Sequence, residues 1–92
     1  MASLMDKIKA GAKIVDVRTP EEYEFGYYPG AVNISVEQVQ DRLAEFGPKD
    51  KPVIVYCETG SRSAYAAMIL KRSGYADVTN AGGLTDMPGY QG

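Results

Sequence analysis

Histidine is absent from this chain, and cysteine occurs once, at position 57. Without histidine, metal sites built from His and Cys are excluded. So is any Cys–His or Ser–His catalytic pair. A single cysteine rules out an internal disulfide and any paired-cysteine redox motif. Chemistry here must draw on one thiol, carboxylates, hydroxyls, Arg, Lys and backbone dipoles. Long apolar runs are missing too. None approaches a transmembrane helix, and the opening MASLMDKIKAG lacks the apolar core of a signal peptide. The sequence therefore reads as a cytoplasmic protein. A periplasmic protein whose leader had been replaced by Met-Ala-Ser would give the same residues. Basic stripes are lacking as well: Lys and Arg are scattered singly and the net charge is −2. That argues against a nucleic-acid partner and against a polybasic membrane patch.

What is present is an ordinary globular balance, 45% apolar and 24% charged over 92 residues. That length suits one domain, residues 1–92, expected to be a monomer. Short apolar strands alternate with helix signals. KIVDV (13–17) reads as a buried strand. In TPEE, Thr19 is an N-cap, Pro20 takes the first helical position and Glu22 closes a capping box. GYYPG (26–30) ends that helix. AVNI (31–34) is a second strand. SVEQ (35–38) reads as another capping box, opening a helix to about Phe46 with Val36, Val39, Leu43 and Phe46 as its apolar stripe. VIVY (53–56) has no polar alternation and suits a parallel strand buried on both faces. A helix from about Ser63 to Ser73 follows, ended by Gly74 as a left-handed cap. ADVTNAGG (76–83) supplies a last strand and a glycine loop, and LTDMPGYQG reads as loop or a frayed end. The alternation implies an α/β fold with a mostly parallel sheet. Ligands bind such sheets beyond the carboxyl ends of the strands, and Cys57 stands at such an end.

The turn CETGSR, with Ser63 after it, carries the chemistry. A thiol reacts as its thiolate, which nearby positive charge favours. A helix starting at Ser61–Ser63 directs its positive dipole end and free amides at the turn. Gly60 can adopt a left-handed conformation, letting successive turn amides converge on one point as an anion nest. Arg62 adds a permanent cation. Ala64, Ala66 and Ala67 allow close packing of the helix on the sheet. The alternative is a buried structural cysteine with Arg62 on the surface. The coincidence of strand, Cys, Gly, Arg and helix favours the reactive site.

These residues resemble the active-site loop of the rhodanese (sulfurtransferase) family, Cys-x-x-Gly-x-Arg between a strand and a helix. IVDVRTPEEYEFGYYPGAVNI (14–34) resembles the family's amino-terminal signature, and NAGGL (80–84) its late glycine pair. The resemblance implies a three-layer α/β domain with a five-stranded, mostly parallel sheet flanked by helices. It implies sulfur transfer in which Cys57 takes the outer sulfur of a small donor such as thiosulfate, or of a protein persulfide, holds it as a persulfide, and passes it to cyanide or a thiol. No metal or organic cofactor is required. Glu58, Thr59, Gly60, Ser61, Arg62 and Ser63 would cradle the sulfur, with Arg62 stabilising the anion. Asp16 and Arg18 read as a supporting strand-end pair, with Arg18 in reach of Glu22; a plain surface position for Arg18 fits the sequence equally. Gly82 and Gly83 would admit close backbone approach, or form an ordinary flexible loop.

Two positions depart from the family pattern. Tyr27 stands where the family often has His, and a hydroxyl can fill the same structural role. Glu58 stands where many thiosulfate-using members carry a basic residue. A unit charge about 7 Å from a bound anion costs roughly 0.6–2 kcal/mol at effective dielectrics of about 80 down to 20, about threefold to thirtyfold in rate. Thiosulfate is then a poor donor, and a less anionic one or a protein persulfide is favoured. If Glu58 points into solvent with only its amide facing the site, the effect vanishes. Most of the seven tyrosines read as packing residues, with Tyr27 and Tyr28 the best surface candidates. Two other functions compete. A cysteine phosphatase has five residues between Cys and Arg, against four here, and no general acid is evident. A binding module that kept the fold and lost turnover is the other.

Overall fold

The computed structural model describes residues 3–91. Four parallel strands form one sheet: β1 (Lys13–Asp16), β2 (Val32–Asn33), β3 (Val53–Cys57) and β4 (Val78–Gly83), in the order β2-β1-β3-β4. Three helices accompany it: α1 (Leu4–Lys9), α2 (Pro20–Phe25) and α3 (Ser61–Arg72). The five strands implied by the resemblance are thus four among the described residues. The residues themselves offer only four strand-like apolar runs, and the segment before them is helical. There Ser3 and Asp6 form a capping box, and Leu4 and Ile8 pack one turn apart against the core.

The two central strands are apolar on both faces. All five residues of β3 are buried, as the lack of polar alternation in VIVY predicts. Odd-numbered Val15, Val17, Val53, Val55 and Cys57 pack with Ala66, Ala67 and Leu70 of α3. Even-numbered Ile14, Ile54 and Tyr56 face Tyr28, Ala31, Leu84 and Met87. Ala64, expected to help seat the helix, is exposed. Two of the three expected helix signals hold as read. Thr19 and Glu22 form the reciprocal cap of α2. At the end of α3, the Gly74 amide bonds to the Lys71 carbonyl and the Tyr75 amide to that of Leu70, with Gly74 at φ +100° and Tyr75 buried.

The third signal fails. Residues 36–46 are not one α-helix but two 3₁₀ segments, Val36–Gln38 and Gln40–Phe46, interrupted at Arg42 (φ −121°). The Ser35 side chain makes no cap bond. Gln38, the acceptor a box would need, instead takes a bond from Arg42, which also grips Glu45. Val39 and Phe46 are still buried, so the apolar stripe keeps its role without the α-helix. The tail also departs from the expected loop or frayed end. Leu84–Asp86 is a 3₁₀ turn, Leu84 and Met87 are buried, and the Tyr28 hydroxyl donates to the Pro88 carbonyl at 2.7 Å. Tyr28 is therefore a core residue, not a surface one. Among the described residues no helix is long and apolar enough to cross a membrane.

The chain runs from β1 to β2 on one side of the sheet and from β3 to β4 on the other. The carboxyl ends of β1 and β3 thus lie at the switch between the two directions, where such sheets open a crevice. Those ends are Asp16 and Cys57.

Candidate active site

Cys57 is the last residue of β3, and α3 begins four residues later. Gly60 makes the turn possible. Its φ of +103° lies in the left-handed region, and an added Cβ would come 3.3 Å from Gly82 Cα. That conformation directs the Gly60 amide at Cys57 Sγ, 2.9 Å away. The Ser63 hydroxyl lies 3.4 Å from the same sulfur. Gly83 is equally constrained: any Cβ there would collide with the Glu58 carbonyl oxygen. The glycine pair is a packing requirement of the turn, not a flexible loop.

Burial pushes the Cys57 thiol up, because a thiolate loses its water. The Ser63 hydroxyl and the amides of Ser63, Gly60 and Thr59 outweigh it, and the thiol ends below its ordinary value. The donors around Sγ favour its anionic form. Cys57 has 0% exposure, so Sγ is shielded until the residues around it move.

Ser63 has one proton and several acceptors. Asn80 Oδ1 is the nearest at 2.6 Å, followed by the Gly60 carbonyl at 3.2 Å and Sγ at 3.4 Å. Asn80 also accepts from the Gly82 amide and donates to the Gly60 carbonyl. It ties β4 to the turn and orients Ser63. The sequence reading passed over Asn80 as a neighbour of the glycine pair. Its signal, an amide two residues before a glycine pair within a strand, identifies no partner by itself. Replacing Ser63 by alanine removes the hydroxyl that turns from Asn80 to donate to the thiolate as Cys57 ionises. The pH midpoint for Cys57 alkylation by iodoacetamide should then move upward, and an unchanged profile would show that the amides alone set it.

The arginines are held by carboxylates. Arg18 is 4% exposed, and its Nε and Nη2 grip Asp16, which is fully buried, while Nη2 also donates to the Gly26 carbonyl. The Asp16 bond, opposed by burial, raises the already high Arg18 pKa. Arg18 lies 5.8 Å from the Tyr56 ring centre, over its face. The expected reach from Arg18 to Glu22 is not made. Arg18 Nη1 points instead to Glu58, at 3.3 Å. Glu22 is taken by Arg62, through bonds of 2.7 and 3.0 Å. That pair holds the Glu22 carboxyl down at about 2. Arg62 makes no hydrogen bond to Sγ; its charge acts on the sulfur through space. Glu58 is 60% exposed on its side chain and turned toward Arg18, so its charge is partly met. Thr59 and Ser61 are exposed on the turn. Tyr27 stacks on Tyr23 with ring centres 4.2 Å apart, while the Tyr23 hydroxyl holds the Ala31 carbonyl.

An open cleft of about 590 Å³ adjoins this network, lined by Arg18, Glu22, Phe25, Gly26, Glu58, Leu84, Thr85 and Tyr90. Among the described residues no cluster of Cys, Asp or Glu converges to hold a metal ion.

The family model of the Rhodanese-like domain matches residues 1–86. The chain belongs to the rhodanese family. It is 44% identical over 81 residues to the thiosulfate sulfurtransferase PspE of Escherichia coli, covering 85% of this chain and 78% of that one. It is 39% identical over 70 residues to a sulfurtransferase of Allochromatium vinosum, covering 76% and 64% of the two chains. A solved rhodanese with anions from E. coli superposes with a TM-score of 0.81 at 40% identity, covering 85% of this chain and 93% of that one. The protein is a rhodanese-type sulfurtransferase. In this rhodanese, Cys57 is the buried cysteine that fits the catalytic one.

Proposed function

We propose that the protein transfers sulfane sulfur through a persulfide on Cys57. The observation that carries the reading is the inward-facing nest: Sγ sits against the Gly60 amide and the Ser63 hydroxyl at a strand end, with its thiol held below the ordinary value. The Cys57 thiolate attacks the outer sulfur of thiosulfate. A new S–S bond forms, and the bond to the sulfonate sulfur breaks, its electron pair leaving with sulfite. Cyanide or a thiolate then attacks the outer sulfur of the persulfide and leaves as thiocyanate or a new persulfide, returning the Cys57 thiolate. No oxidant is consumed. The amides of Glu58 through Ser63 stabilise the sulfur anion, Arg62 contributes at longer range, and Asp16 with Arg18 holds the strand end under the turn.

The natural donor is less anionic than thiosulfate, for instance a persulfide on another protein. Glu58 supports this, though its contact with Arg18 softens its repulsion. The phosphatase alternative finds no support, since the side chains of Arg18 and Arg62 are spent on carboxylates rather than facing an empty anion cradle. The test is thiocyanate formation from thiosulfate and cyanide alongside phosphate release from an aryl phosphate. Thiocyanate without phosphate supports sulfur transfer. Phosphate release that depends on Cys57, without thiocyanate, overturns it.

A further inference from the structure

Arg62 is the one cation within the Cys57–Ser63 turn, yet it is not free to meet an incoming anion. Both its terminal nitrogens are bound to the two oxygens of Glu22, with the paired side chains only 35% and 33% exposed. Arg18 is committed to Asp16, Glu58 and the Gly26 carbonyl. The site therefore sets two guanidinium groups against three carboxylates, a net charge of −1. Glu22 is also pinned from behind. Its Oε1 accepts the Thr19 amide at 3.0 Å, closing the α2 cap. A capping box needs an acceptor at that position, and Gln serves as well as Glu. The fold thus requires the oxygen of Glu22 but not its charge. The charge has one evident target, Arg62, reached across 40 positions of sequence.

We propose that Glu22 is a specificity-determining residue: by neutralising Arg62 it makes the site favour monoanionic sulfane donors over dianionic thiosulfate. The inference rests on the sulfur-transfer reading of Cys57. When a thiolate attacks thiosulfate, three negative charges converge, and beyond the turn's amides an unopposed cation would offset them. With Glu22 in place the Arg62 charge is met before the donor arrives. A monoanionic donor such as benzenethiosulfonate, which loses a sulfinate instead of sulfite, brings one charge fewer and is penalised less.

The substitution Glu22→Gln keeps the cap oxygen and removes the charge. Its kcat/KM for thiosulfate should rise roughly tenfold and that for benzenethiosulfonate about threefold, from the Coulomb effect of one charge at about 7 Å on a dianion and a monoanion in a water-like dielectric. Alkylation of Cys57 provides a readout independent of sulfur transfer. On the alkaline plateau, where the thiolate fraction is constant, anionic iodoacetate and neutral iodoacetamide must reach the same buried sulfur. The ratio of their rates therefore isolates charge from opening. That ratio should rise about threefold in Glu22→Gln, with the iodoacetamide rate unchanged. An unchanged ratio, or an equal rise in both rates, would overturn the proposal and leave Glu22 as a brace for the turn. If the ratio rises but neither protein takes sulfur from any donor, charge selection at Cys57 holds and the sulfur-transfer reading falls.

Discussion

Replacing Cys57 by serine should abolish sulfur transfer, lowering turnover by at least about 10³-fold, while the fold survives. Serine is smaller and accepts the same bonds from the Gly60 amide and the Ser63 side chain, so the turn keeps its shape. Its hydroxyl is a far weaker acid than a thiol, and the nest that suffices for a thiolate leaves it protonated and inert. With histidine absent, no side chain of the usual kind stands ready to deprotonate it. The loss of one buried sulfur costs on the order of 1 kcal/mol of stability. Thiocyanate production and thermal unfolding check the two halves separately. Residual turnover near the wild-type rate would mean that sulfur passes through the protein without Cys57.

Asp16→Ala should be the most damaging single change to stability, at about 3–5 kcal/mol. Asp16 is fully buried, Arg18 is 4% exposed, and the carboxylate accepts from the Arg18 backbone amide as well as its guanidinium. Removing the carboxylate strands a guanidinium whose remaining partners are one carbonyl and the exposed Glu58. A domain of this size holds roughly 5–15 kcal/mol in all, so the melting temperature should fall by more than about 10 °C. Adding Arg18→Met removes the stranded charge, and the double variant should recover at least about half of the loss. If the double variant is as unstable as the sum of the singles, the pair is not coupled as its geometry states.

The candidate site was legible in the sequence wherever its chemistry is local. Cys57, Gly60 and Ser63 lie within one turn, and the need for a left-handed residue and converging amides can be read from CETGSRS itself. The central strands were legible because VIVY and KIVDV carry no polar alternation. What escaped depends on distance along the chain. Glu22 served a visible purpose in the α2 cap, which concealed its second partner 40 residues away. Asn80 meets Ser63 only because β4 pairs alongside β3. Arg18 meets Asp16 as the strand-end pair suggested, but its second carboxylate is Glu58 and not Glu22, and only the packed chain decides between those two. In the segment 36–46, a helical stripe of apolar residues proved compatible with a 3₁₀ path, since Val39 and Phe46 stay buried on either side of the break at Arg42. The short helix α1 is the reverse case: its cap and its Leu4–Ile8 spacing were both present in the sequence but span too few residues to stand out.

The most direct measurement is the intact mass of the protein after incubation with excess thiosulfate and desalting, with Cys57→Ser in parallel. The account predicts the gain of one sulfur atom on the wild-type chain and none on the variant, and its loss on adding cyanide as an equal amount of thiocyanate forms. A wild-type chain that gains no sulfur from thiosulfate or from a low-molecular-weight persulfide donor would contradict it.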